Sequence, residues 1–262
     1  MRHALPQNVT VTPLPAFTDN YIWCFEDQHR CIVVDPGDGQ VVYDYCRTNN
    51  LNLEGILITH HHADHTGGLP LLKKHFPNTV VYGPKNPNIK LIDHRVSEGN
   101  KVSIDSLALQ FEVIDVPGHT LDHIAFVGHG GVLCGDTLFS VGCGRLFEGT
   151  PKQMLASLQK LTALPGDTIV WCTHEYTLAN IAFAQQVDPQ NEALQEYHDW
   201  ATSQREMQQP TLPTTIAKQR EINPFLRAYA DDVKANAQRH VQQELVDELA
   251  VFSAVRSWKD SF

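Results

Sequence analysis

No apolar stretch in this 262-residue chain approaches the ~20 residues that a membrane-crossing helix needs, and no basic segment leads into an apolar run at its start. Those absences speak against a membrane span and a secretory leader and predict a soluble, cytoplasmic protein. Net positive charge is also missing: 20 Lys and Arg face 30 Asp and Glu, for a formal charge of −10. A chain so charged offers no broad cationic face to nucleic acid or anionic lipid, so neither is expected as a partner, and an anionic ligand must meet cations placed locally. The six cysteines, at 24, 31, 46, 134, 143 and 172, include no CxxC pair and read as reduced, mostly buried thiols rather than a disulfide framework. Gly128-His129-Gly130-Gly131 lacks the Lys-Ser/Thr that completes a phosphate loop and reads as a turn between strands.

What is present is ordinary in bulk, with 42% hydrophobic and 19% charged residues, enough for one large domain and a smaller one. Short apolar runs separated by turn residues predict strands at 9–14, 21–25, 31–34, 55–59, 80–82, 107–116, 123–127, 131–134 and 168–172. Helices are expected between them near 40–49, 69–75 and 152–164. The last has its own start signal, with Thr150 as cap, Pro151 in the first turn and Gln153 completing a capping box. Beyond His174 the composition turns to Ala, Gln, Glu and Leu at helical spacing over 175–187, 189–209 and 231–255, with a Pro-containing linker at 209–215. The reading is a layered α/β domain over residues 1–173 followed by an all-helical domain over 174–262.

Chemistry is concentrated in Thr59-His60-His61-His62-Ala63-Asp64-His65, which follows the strand-like Gly55-Ile56-Leu57-Ile58. Imidazoles mixed with a carboxylate suit zinc, iron or manganese, and the lack of thiolate ligands points to an open, catalytic site. Three further segments end a strand on a candidate ligand: His119 after Val116-Pro117-Gly118, Asp136 after Leu133-Cys134-Gly135, and His174 after Trp171-Cys172-Thr173. Asp35 has the same placement and either supports a ligand or shapes the turn.

A T-H-x-H-x-D-H segment followed at a distance by a histidine, an aspartate and another histidine resembles the metallo-β-lactamase superfamily. The resemblance implies an αββα sandwich in which His60, His62 and His119 hold one metal, Asp64, His65 and His174 a second, and Asp136 bridges them. His61 falls at the variable position of the motif. Two such cations share a water and lower its pKa towards neutrality, generating hydroxide for hydrolysis, with Asp64 orienting it. Zinc is the first expectation, with iron or manganese as alternatives.

Phe17-Thr18-Asp19-Asn20-Tyr21, Gly135-Asp136-Thr137-Leu138-Phe139, the stretch from Gly142 to Gly149, Thr173-His174-Glu175-Tyr176-Thr177 and Arg256-Ser257-Trp258-Lys259-Asp260 look like the glyoxalase II family. That likeness runs along nearly the whole chain. It implies hydrolysis of S-D-lactoylglutathione to D-lactate and glutathione by a monomer, with Arg256 and Lys259 at the glycine carboxylate and Tyr176 and Arg145 assisting. Some family members carry lysine and tyrosine where this chain has Arg145 and Phe147, so one hydroxyl is lost. Two readings compete: an iron-dependent persulfide dioxygenase of the same superfamily, and a non-catalytic metal- or glutathione-binding protein. The bland reading of Arg256 and Lys259 is a pair of solvated helix-end charges; His29, His75, His94 and His123 read as ordinary polar residues.

Overall fold

The structure, a computed structural model, describes residues 4–262. Two compact units divide them, the first running to Asp115 and taking in Asp122–Gly135, the second made of Val116–Leu121 and Asp136–Phe262.

In the first unit β1 (Thr10–Ala16), β2 (Asn20–Glu26) and β3 (Arg30–Val34) pair antiparallel, and β4 (Asn52–Leu57), β5 (Val80–Pro84) and β6 (His94–Val96) continue the sheet in parallel. Parallel neighbours need crossovers. The first is α1 (Gly39–Asn49), whose N-cap Asp38 accepts from the amides of Gln40 and Val41; α2 (Ala63–Thr66) and α3 (Leu69–His75) form the next. Val42 and Cys46 of α1 and Leu69 and Leu72 of α3 bury themselves with Ile22, Val33, Ile56 and Ile58 of the sheet. A second, antiparallel set follows in spatial order β10 (Gly131–Gly135), β9 (Ile124–Gly128), β8 (Leu109–Asp115), β7 (Lys101–Ile104). On β8 the alternation of buried Leu109, Phe111 and Val113 with exposed Gln110 and Glu112 turns one face inward, and Phe111 meets Phe25 of β2 edge-on at 5.8 Å. Helices, sheet and sheet thus form successive layers.

In the second unit β11 (Leu138–Phe139) and β12 (Gly142–Cys143) make a small antiparallel pair, and α4 (Pro151–Thr162) starts on the expected Thr150–Gln153 capping box. β13 (Ile169–Cys172) leads into α5 (Thr177–Val187) and α6 (Glu192–Glu206), and pairs with the short β14 (Thr214–Thr215). Three helices close the chain, α7 (Ile216–Ile222), α8 (Asp231–Val241) and α9 (Glu248–Ser261). Val141, Ile181, Ala184, Leu194, Ala201 and Ile222 form a buried cluster in this unit. No described helix is long and apolar enough to cross a membrane.

The elements differ from expectation at several places, the short β11, β12 and β14 among them. β6 and β7 escape a reading based on apolar runs because His94-Arg95 and Lys101-Val102-Ser103 are mostly polar. The helix expected over 231–255 is two helices, broken where Gln242 takes a left-handed conformation at φ 54° and restarted by the Asp247 side chain capping Ala250. α7 lies in a segment for which no helix was expected, started by the Thr215 hydroxyl accepting from the Lys218 amide.

Phe111 is fully buried between the two sheets. Truncating it to alanine is expected to cost about 3–5 kcal/mol, read from urea unfolding midpoints; a loss under about 1 kcal/mol would contradict this packing.

Candidate metal centre

The first unit's part of the site begins where two parallel strands end side by side. β3 and β4 are in register through Val34 and Leu57, and the Asp35 amide donates to the Leu57 carbonyl at 2.9 Å. Asp35 then turns out of the sheet at φ 51°, a left-handed conformation that aspartate tolerates better than most residues. Its buried carboxylate accepts from the Thr59 amide at 2.7 Å and the Thr59 hydroxyl at 2.6 Å, and its Oδ2 lies 3.0 Å from His65 Nδ1. Because the Thr59 hydroxyl gives its proton to Asp35, its oxygen is the acceptor for His60 Nδ1–H, 3.1 Å away. The His60 imidazole is thereby fixed with the proton on Nδ1 and the lone pair on Nε2.

The single turn of α2 carries Asp64 and His65. His65 Nε2 lies 3.4 Å from Asp64 Oδ2, which also accepts from Asn20 Nδ2 at 3.3 Å. The His60 ring lies 4.8 Å from that of His62 and 4.0 Å from that of His65. Backbone closeness makes this possible: a Cβ on Gly37 would fall 1.8 Å from the Asp64 carbonyl oxygen, so no larger residue fits there without displacing the turn.

The second unit brings together His119, Asp136 and His174. His119 Nδ1–H donates to the Arg145 carbonyl at 2.7 Å, which again leaves the lone pair on Nε2. That nitrogen lies 3.5 Å from Asp136 Oδ2, while His174 Nε2 lies 3.3 Å from Asp136 Oδ1. Each carboxylate oxygen therefore faces one imidazole. Gly144 is obligatory here, since a Cβ would meet the Asp136 carbonyl oxygen at 2.0 Å and the His119 ring at 3.1 Å. Tyr176 stacks on His174 at 4.7 Å with planes 4° apart, and Phe147 presents its ring edge-on to His119 at 5.3 Å.

These contacts test whether the donors fit a cation. A lone pair on His119 Nε2 facing Asp136 sets two acceptors against each other at 3.5 Å. Such an arrangement is repulsive unless positive charge lies between the atoms, and buried imidazole and carboxylate donors are what a borderline divalent cation binds. The residues fit a metal. Asp35, His60 and His65 also present ligand atoms within 4.8 Å of one another. Asp35 already accepts from the amide and the hydroxyl of Thr59, a placement that suits the supporting reading of it.

Two histidines are placed differently. His61 leaves the cluster: its Nδ1 is 2.9 Å from Asp122 Oδ1, whose other oxygen accepts from Asn86. His123, read from the sequence as an ordinary polar residue, is buried with its ring stacked on His60 at 4.6 Å. Asn20 and Thr59 were quoted only as parts of motifs, and nothing in their types announces their contacts; their places beside Asp64 and His60 come from the fold.

The expected substrate cations lie in the second unit. Arg145 is 60% exposed in its side chain, with its Nε 3.6 Å from Asp260 Oδ1 and its guanidinium 5.8 Å from the Phe147 ring. Arg256 is buried; Nη1 donates to the Cys143 carbonyl at 2.9 Å, Nη2 to Asp260 at 3.0 Å, and its plane lies over Phe225. Lys259 donates to the Ala179 carbonyl at 3.2 Å and lies over Phe183 and Phe262. Burial there, with Arg256 nearby, lowers its ammonium pKa.

Comparison with known proteins agrees with this geometry. The sequence profile of the metallo-β-lactamase superfamily matches residues 17–174, and that of the hydroxyacylglutathione hydrolase C-terminus matches 175–262. The hydroxyacylglutathione hydrolase of Vibrio parahaemolyticus is 48% identical over 253 residues, covering 96% of this chain and 99% of its own. That of Shewanella halifaxensis is 49% identical over 255 residues, covering 96% and 99%. Among solved structures, ETHE1 from Myxococcus xanthus superposes with a TM-score of 0.64 at 21% identity, covering 97% of this chain and 98% of its own. The B3 metallo-β-lactamase BLEG-1 superposes at 0.61 and 22% identity, covering 83% and 99%.

Asp35→Ala removes the acceptor that fixes Thr59 and His65. Metal affinity, measured by competition with a chromophoric chelator, is expected to fall about 10–100-fold; unchanged affinity would show that the histidines hold their orientation without it.

Proposed function

The chain belongs to the hydroxyacylglutathione hydrolase family of the metallo-β-lactamase superfamily, and from that premise we propose that it hydrolyses S-2-hydroxyacylglutathiones, S-D-lactoylglutathione foremost, to glutathione and a 2-hydroxy acid such as D-lactate. That reaction is the second step of methylglyoxal detoxification. The fold is the metallo-β-lactamase αββα arrangement with a C-terminal helical region. One observation carries the reading: the likeness to named hydrolases is near full length and extends through the helical region, where a metal domain alone would leave the substrate open.

In this reading His60, His62 and His119 would hold one divalent cation and Asp64, His65 and His174 a second, with Asp136 as a further carboxylate donor. Zinc is the first choice, and the same nitrogen and oxygen donors admit iron or manganese. Bound there, such cations would polarise the thioester carbonyl and lower the pKa of water from about 15.7 towards about 7. The protein's own part is orientation. Asp64, held by Asn20, and Asp136 accept hydrogen bonds from the attacking water and fix its approach. Water adds its oxygen to the carbonyl carbon and gives a proton to a site carboxylate, which passes it to solvent; the C–S bond then breaks and the sulfur leaves with the bonding pair as a thiolate. A thiol of pKa about 8.5 departs with little protonation, so no protein acid is needed. The helical domain over 174–262, with Arg145 from the preceding region, supplies the glutathione contacts: Lys259 and, from behind, the charge of buried Arg256 serve the glycine carboxylate, Arg145 assists by meeting the same carboxylate with its fork, and Tyr176 assists beside it. A cytoplasmic monomer completes the proposal.

Metal-loaded protein is expected to release thiol from S-D-lactoylglutathione, to lose that activity on chelation and to regain it on adding back zinc, iron or manganese. Loaded protein without thiol release would overturn the hydrolase reading. His60→Ala should abolish turnover, whereas Lys259→Ala should raise KM about tenfold and leave kcat within about twofold. Equal losses of kcat in both variants would contradict this division of roles.

A further inference from the structure

We propose that Asp260 is a positioning residue for glutathione recognition, tying the guanidinium of Arg145 to that of Arg256 so that the Arg145 fork is presented to the glycine carboxylate. The inference rests on the hydrolase reading above and deepens it.

Arg256 is an unusual cation to find inside a protein. It is 6% exposed, its Nη1 is committed to the Cys143 carbonyl and its plane lies 4.9 Å from the Phe225 ring centroid. A guanidinium stays charged at every accessible pH and, when buried, needs an anion. Asp260, one turn further along α9, provides it: Oδ1 accepts from Nη2 at 3.0 Å. The same oxygen lies 3.6 Å from Nε of Arg145. One carboxylate oxygen therefore joins a buried, immobile arginine to an exposed one.

The consequence falls on Arg145. Its side chain is 60% exposed, and without restraint it would sample many rotamers. The Asp260 carboxylate attracts its Nε across 3.6 Å as an ion pair, and the Phe147 ring lies 5.8 Å from its guanidinium, so both favour this one placement. Neither contact engages the two Nη groups, which form the planar fork that matches a carboxylate. Ordering a long side chain on binding costs about two- to tenfold in affinity, so restraint beforehand returns a factor of that size. Asp260 also places a negative charge near the substrate's carboxylate. Arg145 and Arg256 both face that charge, and Lys259 adds a third cation against the one anion, so the loss of alignment outweighs the relief of repulsion.

The role separates from a merely structural one by changing the substrate. Wild-type activity on S-D-lactoylglutathione is measured first, so that a failure of the hydrolase reading shows before any variant is interpreted. Asp260→Ala in the full-length, metal-loaded protein is then expected to raise KM for S-D-lactoylglutathione about fivefold with kcat within about twofold. The Kd for glutathione, read by calorimetry without turnover, rises to match. With S-D-lactoyl-γ-glutamylcysteine, which lacks the glycine carboxylate, KM should shift less than about twofold. Asp260→Asn keeps an oxygen for Arg256 and gives up the charge that holds Arg145, so it repeats the pattern if the alanine variant does not fold. Equal KM increases for both thioesters, or no increase for the full one, would overturn the proposal.

Discussion

The site depends on one buried carboxylate that is not assigned to any metal. Asp35 stands at the end of β3, beside the end of β4, and spends its two oxygens on the Thr59 amide, the Thr59 hydroxyl and His65 Nδ1. A desolvated carboxylate is costly unless its lone pairs are satisfied, and here satisfying them dictates the geometry of the next seven residues. The Thr59 hydroxyl can donate in one direction only; having done so to Asp35, it must accept from His60. The tautomer of His60 is thus set by one acidic side chain through Thr59. The parallel register of β3 and β4 makes this possible, because it brings the two strand ends to the same edge.

The second unit solves the same problem with different atoms. The Arg145 main-chain carbonyl fixes His119, and aromatic rings flank the remaining groups, Tyr176 flat on His174 and Phe147 edge-on to His119. A main-chain acceptor is independent of the side chain at position 145, which leaves that side chain available for a different task. Residues from 143 to 147 consequently contact two groups at once: Cys143 and Arg145 meet Arg256 and Asp260, and the Arg145 carbonyl and Phe147 meet His119.

Much of this was legible in the sequence because it is written locally. Apolar β-branched runs ending on His, Asp or a Pro-Gly turn marked most strands and the His and Asp side chains that gather at their ends, and the Thr150–Gln153 cap marked the start of α4 to within a residue. What escaped was encoded by partners distant in sequence. Asp35 looked like any turn aspartate until Thr59, 24 residues on, donated to it. His123 carries no pattern of its own and stacks on His60 only because β9 starts beside Thr59, whose carbonyl accepts from the Ile124 amide. β6 and β7 lacked apolar runs, and the break between α8 and α9 lay at Gln242, a residue with no particular tendency to end a helix.

Position 147 shows how a departure from the family pattern is read differently once contacts are known. From sequence, phenylalanine in place of tyrosine is a lost hydrogen bond. In the structure the ring is occupied on two counts, packing its edge against a metal-site histidine and offering its face to the Arg145 guanidinium. A delocalised planar cation lies well over an aromatic face, whereas an ammonium is a strongly hydrated point charge. Arginine at 145 and phenylalanine at 147 therefore suit one another: the ring is a platform for a broad planar cation, and under the proposed function binding there would fall to a charged fork whose strength depends on what holds it in place.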